Sequence, residues 1–319
     1  MHFDVVIVGR STDPHESSVI QHFNVANIST VCIDQTSLWQ YTATFSPDKL
    51  KLLVGETVIS SCSLIWYRRH YDTSVFLMSK GEAKFARSEF SHTLVGALNS
   101  LTDFWFTTPE AMHRASHKAT QLAWVAKDGR IDIPKTLITS NVDEAKRFLG
   151  DNYSDFIVKT LNYPFILDES GLGVMYTSRL NEHLYKCLED IKNTPCIIQK
   201  FISRQYEVRV NVIGSQIFGT KLDMNHLPEA KVDSRLSRDY HDIRHSVIEL
   251  PPEVASLSRD FCRHFGLRFG AFDYIVDTNN HWYFLEVNPY GQWAWIEEMT
   301  GQPLAAAIAS EISLLIKGI

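Results

Sequence analysis

The chain is poor in the residues that mark several common chemistries. Its five cysteines, Cys32, Cys62, Cys187, Cys196 and Cys262, are odd in number, scattered, and nowhere in C-x-x-C spacing. Neither a disulfide framework nor a structural zinc is therefore expected, and a reducing cytoplasm is the expected setting. Basic residues are outnumbered, 31 Lys and Arg against 37 Asp and Glu, for a net charge of −6. Without the basic stripe that tracks a phosphate backbone, nucleic acid is not an expected partner. Long apolar runs are missing too. PLAAAIASEISLLIKGI, ending at Ile319, is interrupted by Glu311 and falls short of the ~20 residues a membrane span needs. It reads as a terminal helix with Pro303 near its first turn. MHFDVVIVGRSTD enters a β-like run directly, so no signal peptide is expected.

Familiar catalytic signatures are absent as well. VGRSTD, with Asp34 further on, keeps one glycine of the dinucleotide pattern G-x-G-x-x-G. No G-x-S-x-G elbow, H-E-x-x-H pair or Walker A ending occurs. His241 and His245 in YHDIRH have helical i,i+4 spacing but no third ligand type beside them, and read as solvated or hydrogen-bonded histidines.

At 319 residues, with 45% hydrophobic and 21% charged residues, a folded chain of two or three packed subdomains is expected. DVVIVG, STVCID and SLIWYRR are β-like, and ESSVIQHFNV between the first two is helix-like, which makes a small α/β unit. Helical text follows at 88–101. Then TPEAMHRASHKATQLAWVAKDG predicts one helix, capped by Thr108, with Pro109 in its first turn and Gly129 at its end. An α+β stretch comes next, with helices over 141–149 and 180–192, then a helix over 253–265 and two late strands.

Those late strands lie in AFDYIVDTNNHWYFLEVNP. Asn279-Asn280 between alternating runs predicts a two-residue hairpin loop. In that register Asp273 faces Glu286, with Asn288 on the same side together with Ile275, Trp282 and Phe284. Phe272, Tyr274, Val276, Tyr283, Leu285 and Val287 would face the core. Facing carboxylates repel, and a hard divalent cation held by two carboxylates and an amide oxygen relieves this. An ordinary hairpin with a solvated polar face would carry the same pattern.

GAFDYIV followed by FLEVNP resembles the Asp…Glu-x-Asn magnesium signature of the ATP-grasp ligases, which couple ATP cleavage to joining a carboxylate to a nucleophile. The resemblance implies an α+β ATP-grasp fold: an N-terminal pre-ATP-grasp α/β domain over 1–107, a central domain over 108–193 and a C-terminal domain over 194–319. It implies ATP and Mg²⁺ as cofactors, with Asp273, Glu286 and Asn288 as metal ligands. Lys118 and Lys159 stand in the places of the nucleotide lysines. IIQKFI resembles the adenine hinge, with Gln199, Lys200, Phe201 and Ile202, and Glu207 matches the ribose-binding acid. Arg209, on the same strand face, would meet phosphate or acyl-phosphate charge, and Lys221 is a further phosphate contact. ESGLGVMYT resembles the loop that covers the triphosphate, through Ser170, Gly171, Gly173 and Thr177.

SLIWYRRH, TPEAMHRASHKATQL and EVNPYGQWAWIE narrow the resemblance to the peptide maturases that make graspetides, including microviridin-type ligases. These join Asp or Glu side chains of a ribosomal precursor peptide to Ser/Thr hydroxyls or Lys amines. A precursor peptide with leader and core is then the expected partner, with a homodimer a common state. Arg68, Arg69, Arg235 and Arg244 are candidate contacts for an acidic partner. Trp293 and Trp295 either seat the last helix or wall the acceptor cleft. The core motifs fit two other functions: a small-molecule or protein C-terminal carboxylate–amine ligase, and a non-catalytic ATP-binding module.

Overall fold

The computed structural model describes residues 1–34, 41–46, 49–68, 80–162, 165–168, 171–227 and 240–318. Three candidate contact residues named above, Arg69, Ser170 and Arg235, lie outside that set, as does the terminal Ile319. Among the described residues no helix is long and apolar enough to cross a membrane.

Strand β1 (His2–Val8) runs into α1 (Pro14–Val25), capped by Asp13, and then β2 (Thr30–Ile33). An antiparallel meander not anticipated from sequence follows, β3 (Tyr41–Ser46), β4 (Lys49–Val54) and β5 (Thr57–Ile59), and leads to β6 (Ser61–Tyr67). The parallel sheet has the order β2-β1-β6. β1 reads as continuous VVIV because both of its faces are covered. Val5 and Ile7 pack in one core cluster with Val19, Phe23 and Ile308, and Val6 and Val8 in the other with Leu94 and Leu98.

After α2 (Lys80–Asn99) the single helix expected from Pro109 to Gly129 is two, α3 (Pro109–Ser116) and α4 (Lys118–Asp128). Thr108 caps the first, accepting from the Ala111 N–H, and Gly129 ends the second in the left-handed region at φ 79°. The break is at His117, whose backbone is extended with ψ 106°. It makes Lys118 the first residue of a new helix.

The middle lobe holds β7 (Thr136–Thr139), α5 (Val142–Leu149), β8 (Phe156–Lys159), β9 (Phe165–Asp168), β10 (Gly171–Val174), β11 (Ser178–Arg179), α6 (Glu182–Lys186) and β12 (Cys196–Lys200). Its sheet has the order β11-β8-β12-β7, while β9 and β10 form a separate hairpin. Only a short part of the helix expected over 180–192 is α-helical; a 3-10 stretch, Leu188–Asn193, follows. β12 pairs with β7 and β8, so the middle sheet reaches Lys200, past the boundary expected after residue 193. At its other end α3 and α4 pack on the C-terminal elements, so the expected start at 108 does not coincide with a structural break.

The C-terminal lobe comprises β13 (Arg204–Ile213), β14 (Gln216–Asp223), β15 (Arg244–Val247), α7 (Pro252–Phe265), β16 (Phe269–Asp277), β17 (Trp282–Asn288), α8 (Ala294–Thr300) and α9 (Leu304–Gly318). The sheet is antiparallel in the order β15-β14-β13-β16-β17. Its core face packs Val208, Phe272 and Tyr274 against Phe261 of α7.

The β16–β17 hairpin differs from expectation in an instructive way. Its loop contains Thr278, Asn279 and Asn280, closed by Asp277 N–H donating to His281 O at 3.0 Å. Only Asn280 takes a positive φ, 61°, as the last residue of such a loop does. The longer loop shifts the pairing by one residue, to Tyr274 with Phe284. A bulge at Leu285 then shifts it back, so Asp273 still faces Glu286. The bulge inverts the alternation beyond it. Phe284 is fully buried and Trp282 packs beside it, while Leu285 faces the cavity described below. Tyr283, paired with Ile275, turns to the cavity face of the sheet as well, so four assignments are reversed from the sequence expectation. Asn280→Val should therefore cost about 1–2 kcal/mol in urea unfolding, because a β-branched residue is penalised in the left-handed region that asparagine tolerates, and Asn279→Val clearly less. Equal costs would mean the two-residue turn.

Candidate active site

A cavity of about 800 Å³ lies between the middle sheet and the five-stranded sheet. Strand register builds its floor. Arg209 on β13 pairs with Asp273 on β16, which pairs with Glu286 on β17. Directly opposed residues share a sheet face, so the three side chains form one row across three strands. Arg209 Nε lies 2.8 Å from Asp273 Oδ1, a close ion pair not aligned as a hydrogen bond, and Lys118 Nζ lies 2.9 Å from Glu286 Oε2. Lys118 also donates to Thr160 O at 3.3 Å, which ties the start of α4 to the end of β8.

The two carboxylates respond differently to this surrounding. Burial raises the Asp273 carboxyl, Arg209 offsets only part of that, and the Glu286 charge adds to it. Burial pushes Glu286 up as well, but Lys118 and Lys159 outweigh it and hold that carboxyl below its ordinary value. Two facing acids balanced by cations from three elements form a site of hard oxygen donors, the donor set a magnesium ion takes. Asn288, exposed at the end of β17, adds an amide oxygen; its Oδ1 accepts from the Tyr290 N–H at 2.9 Å.

The opposite wall carries Lys159, Gln199, Lys200, Phe201 and Ile202. Gln199 is 1% exposed and donates to Thr136 Oγ1. The Lys200 and Phe201 N–H groups are already committed, to Lys135 O and Asp155 O. Lys200 Nζ pairs with Asp155 at 2.8 Å. Glu207 lines the cavity from β13, paired with Arg204 across the irregularity that precedes it. Arg204 was not singled out from sequence, since its approach depends on that irregularity.

Some expected residues are not brought to this cavity. Lys221 pairs with Val208 on the opposite face of the sheet from Glu207 and Arg209, and its ammonium lies 4.4 Å from the Tyr206 ring centroid. Strand alternation alone turns it away from the cavity. Gly171 and Gly173 pair with Asp168 and Ile166 in the β9–β10 hairpin, and only Thr177 beyond them lines the cavity. Arg68 is buried and donates to Tyr290 O and Gly291 O at 3.1 and 3.2 Å, so it braces the turn after β17. Arg244 is exposed on β15.

The two tryptophans divide the two readings between them. Trp293 is buried with α9, whereas Trp295 lines the cavity under the Arg209 guanidinium, 5.9 Å from its ring centroid. His245, expected to be solvated or hydrogen-bonded, instead lies against Trp295, and neither of its ring nitrogens has a hydrogen-bond partner among the described residues. Burial lowers its pKa. Pro14 and His15 also reach the cavity, from the first turn of α1. His15 Nε2 accepts from the Trp293 N–H at 3.0 Å, which assigns the proton to Nδ1, 2.6 Å from Asp13 Oδ1. No spacing in the sequence signals that contact across 278 residues.

The profile of the RimK-like ATP-grasp domain matches residues 115–312. No curated protein matches the chain. Among solved structures, a Chryseobacterium gregarium RiPP-associated ATP-grasp ligase, in complex with ADP and a leader and core peptide, superposes with a TM-score of 0.87. It is 24% identical, over 99% of this chain and 97% of that one. Macrocyclase MdnC of Microcystis aeruginosa, bound with precursor peptide MdnA, superposes at 0.85 with 22% identity over 98% and 100% of the two chains. Macrocyclase MdnB of the same organism superposes at 0.76 with 25% identity over 97% and 98%. With the row of Arg209, Asp273 and Glu286, the lysine pair and the two-sheet cavity in place, and the family profile covering more than half of its length, this chain belongs to the RimK-like ATP-grasp family.

Proposed function

We propose that this protein is an ADP-forming ligase that activates Asp or Glu side-chain carboxylates of a ribosomal precursor peptide and joins them to Ser/Thr hydroxyls or Lys amines, closing macrocycles. The observation that carries the reading is the likeness over 99% of the chain, N-terminal lobe included, to a ligase solved with ADP, leader and core peptide.

A carboxylate is a poor electrophile, and phosphorylation by ATP turns it into an acyl phosphate whose phosphate then leaves as the nucleophile attacks. Phosphoryl transfer is mainly positioning and charge neutralisation. Magnesium, when bound by Asp273, Glu286 and Asn288, would supply charge neutralisation on the phosphate oxygens. Lys118 and Lys159 reach the same end of the cavity and would neutralise the nucleotide's phosphates. Arg209, already aimed along the row at Asp273, would hold the acyl-phosphate oxygens. Gln199, Phe201 and Ile202 would flank the base, and Glu207 the ribose. The β9–β10 hairpin that holds Gly171 and Gly173 would supply the cover over the triphosphate by closing on the cavity. Orienting two bound reactants contributes about 7–11 kcal/mol in favourable cases, so no nucleophilic side chain is assigned.

The test is mass spectrometry of a candidate precursor peptide, with Ser/Thr and Asp/Glu near its C-terminus, after incubation with the protein, ATP and Mg²⁺. Loss of one water per bond is expected. Gain of an amino-acid mass on some other acceptor would replace this reading with a carboxylate–amine ligase. ATP binding with no product on any carboxylate would replace it with a regulatory module.

A further inference from the structure

β17 is the outer strand of its sheet and carries Glu286 and Asn288. An edge strand presents N–H and C=O groups with no neighbouring strand to satisfy them. A strand that aims two cation ligands also has to be held to within a fraction of its own side-chain reach. Near the hairpin this edge is closed by backbone, with the Phe284 N–H donating to Asp132 O at 2.9 Å.

At the ligand end a side chain closes it. Gln121 is 1% exposed. Its Oε1 accepts from the Val287 N–H at 3.0 Å, and its Nε2 donates to Val287 O at 2.8 Å and to Ala115 O at 2.7 Å. The carboxamide therefore makes with Val287 the reciprocal pair of bonds that a residue of an adjacent strand would make. Val287 is the residue between the two ligands. Gln121 sits one turn along α4 from Lys118, whose ammonium holds the Glu286 carboxylate. One turn of helix thus grips two consecutive residues of β17.

We propose that Gln121 is a positioning residue for the cation site, standing in for a missing strand so that Glu286 and Asn288 are presented to the cavity in fixed register. The inference rests on reading Asp273, Glu286 and Asn288 as the cation ligands. Residues that orient metal ligands typically change metal affinity about 10–100-fold when replaced.

The experiment uses the full chain with Mn²⁺ as the probe and a non-hydrolysable ATP analogue, and follows free Mn²⁺ by electron paramagnetic resonance. Gln121→Met fills the same space without either bond, and Gln121→Asn keeps the amide but is a methylene too short. Both should weaken Mn²⁺ binding by about tenfold or more, with analogue affinity in the absence of metal unchanged. Hydrogen exchange at the Val287 amide should accelerate in parallel. Val254→Ala, in the buried face of α7, lowers stability elsewhere and should leave Mn²⁺ affinity as it is. Unchanged Mn²⁺ affinity in whichever Gln121 variant folds, or an equal loss in Val254→Ala, overturns the proposal. If the unmodified protein fails to bind Mn²⁺ with the analogue, the ligand assignment itself falls. That outcome is distinct from one in which it binds and the Gln121 variants match it.

Discussion

Glu286→Gln is expected to reduce ATP-dependent turnover by about 10²–10³-fold while leaving the fold intact. The loss follows from charge. A glutamine keeps the shape and one oxygen but removes a negative charge from the site proposed above to hold a divalent cation on phosphate, an effect of several kcal/mol in the transition state, and about 1.4 kcal/mol corresponds to tenfold. Retention of the fold follows from what surrounds the side chain. Glu286 is 32% exposed to the cavity and faces Asp273 directly, so neutralising it removes a like-charge repulsion as well as the Lys118 ion pair. The two losses oppose each other. ADP release in the presence of precursor peptide and a thermal melt of the same sample check both halves. Wild-type turnover, or an unfolded variant, would each overturn the placement.

Glu16→Gln should change stability in a pH-dependent way, and here the expected effect is the largest on folding. Glu16 is fully buried at the end of the parallel sheet, against Gly9, where a Cβ on that glycine would sit 2.4 Å from Glu16 Oε1. Neither carboxylate oxygen has a hydrogen-bond partner among the described residues. Burial raises its pKa from 4.5 to about 8; nearby Arg68 offsets part of that and Asp13 adds to it. The native state therefore binds this proton more tightly than the unfolded chain. The stability it contributes is complete below about pH 4.5, is lost as pH rises through about 8, and is flat beyond. The slope inside that window approaches about 1.4 kcal/mol per pH unit. Glutamine mimics the protonated acid and does not titrate. Its advantage over wild type should grow by about 3–5 kcal/mol between pH 5 and 8.5 in urea unfolding. A difference that does not vary with pH would mean that Glu16 is ionised in the native protein.

Much of the site was legible because its residues sit on short periodic segments. Asp273, Glu286 and Asn288 lie on one hairpin, and strand alternation places such residues relative to one another without knowledge of the rest. Yet that pairing was reached through two features that compensate, a longer loop and a bulge at Leu285, and their cost was paid in Trp282, Tyr283, Phe284 and Leu285, which face the reverse of the expected sides. A bulge has no composition signature in FLEV. Lys221 shows the converse case, in which a residue that looks suited to phosphate is turned away by its parity on β14.

The order of motifs along the chain, the helix caps at Thr108 and Gly129, and the acidic hairpin were determined by the amino-acid sequence itself, because each depends on residues within a few positions of one another. Only the tertiary structure decided which groups meet across the lobes: His15 with Trp293, Arg68 with the turn at Gly291, Gln121 with Val287. Those contacts join positions more than 160 residues apart and are made largely to backbone atoms. Every residue has the same backbone N–H and C=O apart from proline, so nothing in the identity of the partner announces the bond.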